Sequence, residues 1–409
     1  MVTTRSGITT AATAATAATG AAAGGAAAGT GATASSRALL RCLVTGGAGF
    51  LGRHVVQQLL DSGKYEVTVF DVRPLESPRP HASVVGDLRK PDDVAAAVEG
   101  MDVVFHIATA APTGENALNI ALMNGVNVDG TRHLLEACLA AGVGKVVYTS
   151  SASVVFDGKA LVMADEAATP YAARPMDHYT RTKILGEQMV LAYNGKPLAK
   201  PAAADGATTL ATVALRPSGI FGEGDAVFVP TLARNARAGK MKYILGSGRN
   251  ECDFTYAGNV AHAHLLAAAA LAPGAATAGK AYFVTNDEPK RFWDMMGDMC
   301  AGLGYGRPRI HLPFLLVIVL AAIFEYLVLP LVKALGKELR SDFTVNRILI
   351  ATTNRTFSIK AAKRDFAYAP QIGMKDAIAK TLASFASLRA DAAGAAPAAA
   401  AAAAGKKAE

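Results

Sequence analysis

Between Arg41 and Arg216, short apolar runs alternate with amphipathic stretches, and this alternation limits the possible folds more than any other feature. Runs at 42–45, 66–71, 83–87, 103–109, 145–151 and 209–216 have the length and character of strands. The stretches 50–62, 91–99 and 127–141 lie between them and carry helical spacing. A strand that is apolar throughout needs cover on both faces, and a helix after each strand supplies it. The spacing therefore predicts an α/β fold, a doubly wound parallel sheet over 39–217. After about residue 217 the alternation loosens, which suggests that 218–390 completes the fold as a smaller substrate-binding cap at the sheet's carboxyl edge.

The composition narrows the classes. Of 409 residues, 51% are hydrophobic and 18% charged, which suits a chain with a real core and excludes a disordered or coiled-coil protein. The net charge of +8 is spread out, with no basic block and no aromatic-interleaved patch, so nucleic acid is not an expected partner. An anionic membrane surface suits it better. Cys42, Cys138, Cys252 and Cys300 share no metal-ligand spacing and read as reduced thiols, with no metal site. Residues 1–38 are almost wholly Ala, Thr and Gly and are expected to be disordered. The first acid is Asp61, a faint transit-peptide character, and no apolar core of a secretory signal precedes the first strand.

One segment breaks the soluble pattern. Residues 312–332, LPFLLVIVLAAIFEYLVLPLV, hold a single charge, Glu325. Roughly 20 residues at about 1.5 Å each just match a hydrocarbon core of about 30 Å. A central acid costs about 2–3 kcal/mol, which the surrounding Leu, Ile, Val and Phe residues offset. Basic residues flank both ends, Arg307 and Arg309 before and Lys333, Lys337 and Arg340 after, and soluble-looking sequence resumes beyond Leu335. The expectation is a re-entrant or interfacial helical element over 312–335, with a span and a buried helix pair as the other readings. The Ala-rich tail 391–409, also expected to be disordered, ends Lys406-Lys407-Ala408-Glu409, which matches a dilysine retrieval signal. Together these features point to the endoplasmic reticulum membrane, with the catalytic domain facing the cytosol.

The first strand runs into Thr45-Gly46-Gly47-Ala48-Gly49-Phe50-Leu51-Gly52 and then a helix. Gly46 permits the tight turn, Gly49 lets backbone approach a pyrophosphate and Gly52 lets helix pack on strand. The amides of the helix start, with Phe50 and Leu51, face the phosphates. This strand–turn–helix context marks a Rossmann-type dinucleotide site. Asp71 ends the second strand, nineteen positions after Gly52, where a carboxylate accepts from ribose hydroxyls, repels a 2′-phosphate and so selects NAD. Arg73 keeps NADP open. Asp87 and Leu88 close the third strand and are candidates to meet adenine, with a helix cap as the alternative for Asp87. Ala108, after the fourth strand, lets backbone lie against the cofactor, and His106 reads as a packed histidine.

Tyr179 and Lys183 are four apart, on one face of the helix that opens after Asp177. A tyrosine with an ordinary pKa of about 10 is a poor base near neutrality; bringing it near 7 asks for roughly 4 kcal/mol of phenolate stabilisation, which a lysine one turn away supplies. That lysine can also hold the nicotinamide ribose. Upstream, Thr149-Ser150-Ser151-Ala152-Ser153 offers a hydroxyl to polarise the substrate oxygen.

With the glycine turn and the serine cluster, Tyr179-x-x-x-Lys183 resembles the extended short-chain dehydrogenase/reductase family. The resemblance assigns the triad to Ser151, Tyr179 and Lys183, with Ser150 as fallback, and sets Pro217 of Leu215-Arg216-Pro217-Ser218-Gly219 beside the nicotinamide. It makes Asn127 mainly structural. Across about 41–388, Thr149 to Phe156, Tyr179 to Leu185 and Arg216 to Gly222 look like the 3β-hydroxysteroid dehydrogenase branch. Asp253-Phe254-Thr255-Tyr256 and Thr285-Asn286-Asp287-Glu288-Pro289 with Phe292-Trp293 resemble the sterol-4α-carboxylate 3-dehydrogenases. The resemblance implies NAD-dependent oxidation of the 3β-hydroxyl of a 4α-carboxysterol with loss of CO₂, in sterol C4 demethylation. A 3β-hydroxysteroid dehydrogenase, with or without isomerase activity, on substrates lacking the carboxylate is the alternative. Partners it admits are a sterol, a membrane surface, other C4-demethylation enzymes and a second copy of the chain. Arg249, Lys242 and Arg291 are candidates for the carboxylate by charge only, with a solvated surface position as the alternative for each.

Overall fold

A computed structural model describes residues 39–79, 81–111, 119–335 and 343–391. The expected N-terminal disorder and the dilysine tail therefore lie outside the described residues, as do Lys337 and Arg340. Seven parallel strands form the central sheet: β1 Leu40–Thr45, β2 Tyr65–Asp71, β3 Ala82–Val85, β4 Val103–His106, β5 Lys145–Thr149, β6 Ala211–Pro217 and β7 Lys280–Val284. Their order in space is β7-β6-β5-β4-β1-β2-β3. Successive strands move outward from β1 in one direction and then from β4 in the other. The two strands flanking the reversal pair in register, Cys42 with Val103 through Thr45 with His106. Outside the carboxyl ends of such a pair a crevice opens, the usual ligand position in a doubly wound sheet.

Helices cover both faces, as the continuous apolar strands require. Helix α1 (Phe50–Ser62) buries Val55, Val56 and Leu59 beside α5 (Ala257–Ala270) on one face. Helices α2 (Pro91–Val98), α3 (Gly130–Ala141) and α4 (His178–Tyr193) pack Val94, Leu134, Cys138 and Val190 on the other. All four cysteines are buried free thiols. The sequence spacing missed β7, which lies well beyond residue 217 and joins the sheet at its edge.

A second, four-stranded sheet orders its strands Lys290–Arg291, Glu251–Cys252, Arg355–Phe357, Leu161–Ala164. The cap is thus not built from the second half of the chain alone. The apolar segment is one long helix, α6. This runs Phe314–Ile323, passes through a π-helical stretch Phe324–Val328 and ends Leu329–Ala334. Of this helix Val317 and Ala321 are buried, against Ile348 of α7 (Val345–Thr352). Leu315, Tyr326 and Leu327 are 74%, 69% and 67% exposed, which is the reverse of a buried helix pair.

Candidate active site

The turn after β1 is built by steric necessity. Gly46 has φ +71°, and a Cβ there would sit 2.6 Å from the Ala108 Cα. A Cβ on Gly52 would lie 2.1 Å from the Gly46 carbonyl oxygen, so helix α1 could not approach the strand. Gly49 is the N-cap of α1 and has no side chain to satisfy the first-turn amides, and no acid lies in that turn. Those amides and the helix dipole are left for an anion. Asp71 stands beside them, its Oδ2 accepting from the Ala48 amide at 3.1 Å. A bare backbone turn, uncapped amides and a strand-end carboxylate fit a dinucleotide.

The other residues expected at the cofactor are placed as follows. Ala108 packs over Gly46. Asp87 is engaged by the Arg89 guanidinium at 2.9 and 3.0 Å, which holds its carboxyl below the usual carboxylate range. The cap of α2 is Lys90 instead. Leu88 turns its side chain into the core, and its carbonyl meets His133 Nδ1 at 3.0 Å. His106 is indeed a packed histidine, between the Thr45 and Thr131 hydroxyls at 2.8 and 3.0 Å.

Tyr179 lies in the first turn of α4, whose N-cap Asp177 accepts from the Thr180 amide at 2.7 Å. Burial, reinforced by the Asp177 carboxylate, pushes the Tyr179 hydroxyl up to about 12; a bond with the Thr109 hydroxyl works in the opposite direction. Lys183 does not relieve it in this structure. Its ammonium donates to the Thr149 carbonyl at 2.6 Å and lies 4.2 Å from the Tyr148 ring centroid. Burial brings the Lys183 amine down to about 7. A buried ammonium must find an acceptor, and the carbonyl ending β5 is nearer than the phenol. The expected depression of Tyr179 by Lys183 is therefore not a property of the chain alone.

Ser151 caps the short turn Ala152–Val155 and shares its hydroxyl with Ser153 at 2.9 Å. Both serines and Tyr179 line one cavity of about 220 Å³, together with Pro217. Ser150, the fallback, is buried away from it. Asn127 ties the loop after β4 to α4: it exchanges bonds with Ala110 and donates to the Thr182 hydroxyl at 2.9 Å.

The far wall of the cavity is formed by residues that sequence reasoning missed. Asn346 and Ile350 come from α7, and Arg355 and Phe357 from the adjoining strand. Arg355 spends one nitrogen on the Ile350 carbonyl at 3.0 Å and stacks on Phe156, while its Nε is buried without a partner. Arg249, Lys242 and Arg291 are exposed and do not line the cavity. Nothing local marks Arg355; it follows the apolar segment in a short strand and reaches the site only by sheet pairing.

A dinucleotide turn at the sheet reversal, with a serine after β5 and a tyrosine and lysine one turn apart on α4, defines an oxidoreductase of the extended short-chain dehydrogenase/reductase type. The comparisons are narrower. Residues 43–314 match the 3-beta hydroxysteroid dehydrogenase/isomerase family, and this chain belongs to it. It is 41% identical over 355 residues to the sterol-4-alpha-carboxylate 3-dehydrogenase, decarboxylating, of Mus musculus, covering 86% of this chain and 92% of that one. It is 38% identical to 3beta-hydroxysteroid-dehydrogenase/decarboxylase isoform 1 of Arabidopsis thaliana, covering 85% and 80% of the two chains. Among solved structures, the UDP-glucose 4-epimerase of Thermus thermophilus in complex with NAD superposes with a TM-score of 0.61 at 23% identity, over 85% of this chain and 99% of that one, and shares the fold.

Proposed function

We propose that this protein oxidises the 3β-hydroxyl of 4α-carboxysterols with NAD, and that the product loses CO₂ to give a 3-ketosterol, as one step of sterol C4 demethylation. The observation that carries the carboxylate is Arg355, a cation with a buried unpaired N–H on the same cavity as Tyr179 and Ser151. When bound, NAD supplies the hydride acceptor. The turn at Gly46 to Gly52 holds its pyrophosphate and Asp71 its adenosine ribose. Ser151 donates to the substrate oxygen, Tyr179 takes the hydroxyl proton, and Lys183 steadies the nicotinamide ribose.

Oxidation turns the substrate into a 3-keto acid with its carboxylate on the neighbouring carbon. The bond to that carboxylate then breaks, its electron pair passes into the new carbonyl as an enolate, and a proton returns to C4. No further base is needed for this step. Arg355 favours the carboxylate over CO₂, so its part is recognition of the substrate. The test is an assay of the full chain in detergent with NAD. A 4α-carboxysterol should yield NADH and CO₂ in equal amounts. NADH from a plain 3β-hydroxysteroid alone would assign the chain to steroid oxidation and remove the carboxylate from the reaction.

A sterol is dissolved in membrane, and the exposed face of α6 serves as the docking element, on the endoplasmic reticulum with the catalytic domain in the cytosol. Each exposed leucine buried in lipid contributes about 1.5–3 kcal/mol. The triple change Leu315→Gln, Leu327→Gln, Leu331→Gln removes side chains that are 74%, 67% and 61% exposed. The parent should float with phosphatidylcholine liposomes on a density gradient and the variant should stay at the bottom. Equal flotation would remove α6 from membrane binding.

A further inference from the structure

The single acid of the apolar helix is turned inward. Val317, Ala321 and Glu325 are spaced four apart, so they share the face that meets α7. Glu325 Oε2 accepts from the Val345 amide at 2.7 Å, at the first turn of α7, whose N-cap Thr344 accepts from the Arg347 amide. The next residue, Asn346, donates from Nδ2 to Asp177 Oδ2 at 3.3 Å, and the other oxygen of Asp177 caps α4. Two hydrogen bonds and one peptide step in α7 thus connect the apolar helix to the cap of the helix that carries Tyr179. Asn346 also lines the cavity, and its buried Oδ1 has no partner.

We propose that Asn346 and Asp177 are positioning residues of this oxidation, a latch that fixes the α7 wall of the cavity to the Tyr179 turn and transmits the seating of the apolar helix on a membrane to the catalytic base. The proposal rests on the function proposed above. The latch also sets charge. The groups facing Tyr179 are Asp177 at its own helix cap, Lys183 one turn on and directed at Thr149, the Thr109 hydroxyl, the buried Tyr148 phenol of β5, and Arg355 across the cavity. His178 beside it is held by Asn124. Asp177 is the one anion in this set, and it works against the phenolate.

Two substitutions separate positioning from folding. Asn346→Ala leaves the Thr344 cap of α7 and its bond to Glu325 in place and removes the latch; kcat on the 4α-carboxysterol should fall about 10-fold, with NAD affinity unchanged. Asp177→Asn keeps the helix cap, because asparagine caps as well as aspartate, and Asn346 can turn its free Oδ1 toward the new amide. Only the charge is lost, so the acid limb of the kcat–pH profile should move about one unit to lower pH. A merely structural residue would not move it. A wild-type kcat in Asn346→Ala, or an unshifted limb in Asp177→Asn, would overturn the proposal.

Hydrogen–deuterium exchange decides the latch without turnover. Phosphatidylcholine vesicles should slow exchange over 345–352 and at the Thr180 amide in the parent, but only over 345–352 in Asn346→Ala. Equal protection of Thr180 in both would sink the latch. A parent enzyme that leaves the carboxysterol untouched would sink the proposed substrate instead, and the exchange result would still stand.

Discussion

Tyr179→Phe should lower kcat for 3β-hydroxyl oxidation by about 10³–10⁴-fold while NAD binds almost as before. The substitution removes one oxygen that lines the substrate cavity and touches neither the glycine turn nor Asp71. The loss should therefore fall on kcat and not on NAD affinity, measured by stopped-flow turnover beside calorimetric titration of NAD. In the chain alone burial holds this hydroxyl at about 12, so the base form is scarce at neutral pH. Oxidation by the parent should consequently accelerate as pH rises, because the form that accepts the proton becomes more populated. Turnover surviving in Tyr179→Phe, or an oxidation rate flat between pH 6 and 9, would transfer the base to another group.

Arg355→Met should cost about 2–4 kcal/mol, roughly 30- to 1,000-fold, in kcat/KM for a 4α-carboxysterol. Methionine keeps the apolar stem against Phe156 and deletes the charge. It also frees the Ile350 carbonyl, a loss of about 1 kcal/mol in stability that a thermal melt would register. The discriminating control is a 3β-hydroxysteroid without the acid, whose oxidation should change by no more than a few fold. Arg355→Lys should recover only part of the loss, since an ammonium on a flexible stem lacks the planar guanidinium held against Phe156. Equal losses on both substrates would make Arg355 a structural residue of the cavity wall.

Much of the cofactor half was legible in the chain because its determinants are local. The glycine turn, the strand-end position of Asp71 and the four-residue spacing of Tyr179 and Lys183 each act within one turn or one helix, so periodicity and steric argument reach them. Helix α1 has the bounds its amphipathic pattern predicts. The direction of Lys183 was not legible: spacing sets the face of a helix, while the acceptor chosen by a buried ammonium depends on which carbonyl packs against that face.

The substrate half depends on pairings between distant segments. Asn346 and Asp177 are 169 positions apart, and Cys252 is bonded by Arg355 from 103 positions away. The strand Arg355–Phe357 enters the cavity wall because Cys252 on one side and the strand Leu161–Ala164 on the other accept it into one sheet. No run of neighbouring residues encodes that choice, since several short strands of similar character could have paired there. Glu325 shows the same division. Its presence in an apolar segment was plain from the sequence, whereas its partner, the Val345 amide, exists only once α6 and α7 have packed. The amino-acid order by itself determined a doubly wound dinucleotide-binding sheet and the placing of Tyr179 and Lys183 one turn apart on a helix, because these depend on short-range, periodic spacing. Only the tertiary structure decided which cation lines the cavity and how the apolar helix connects to the turn that carries Tyr179, because those contacts are made by chain segments that fold together from far apart.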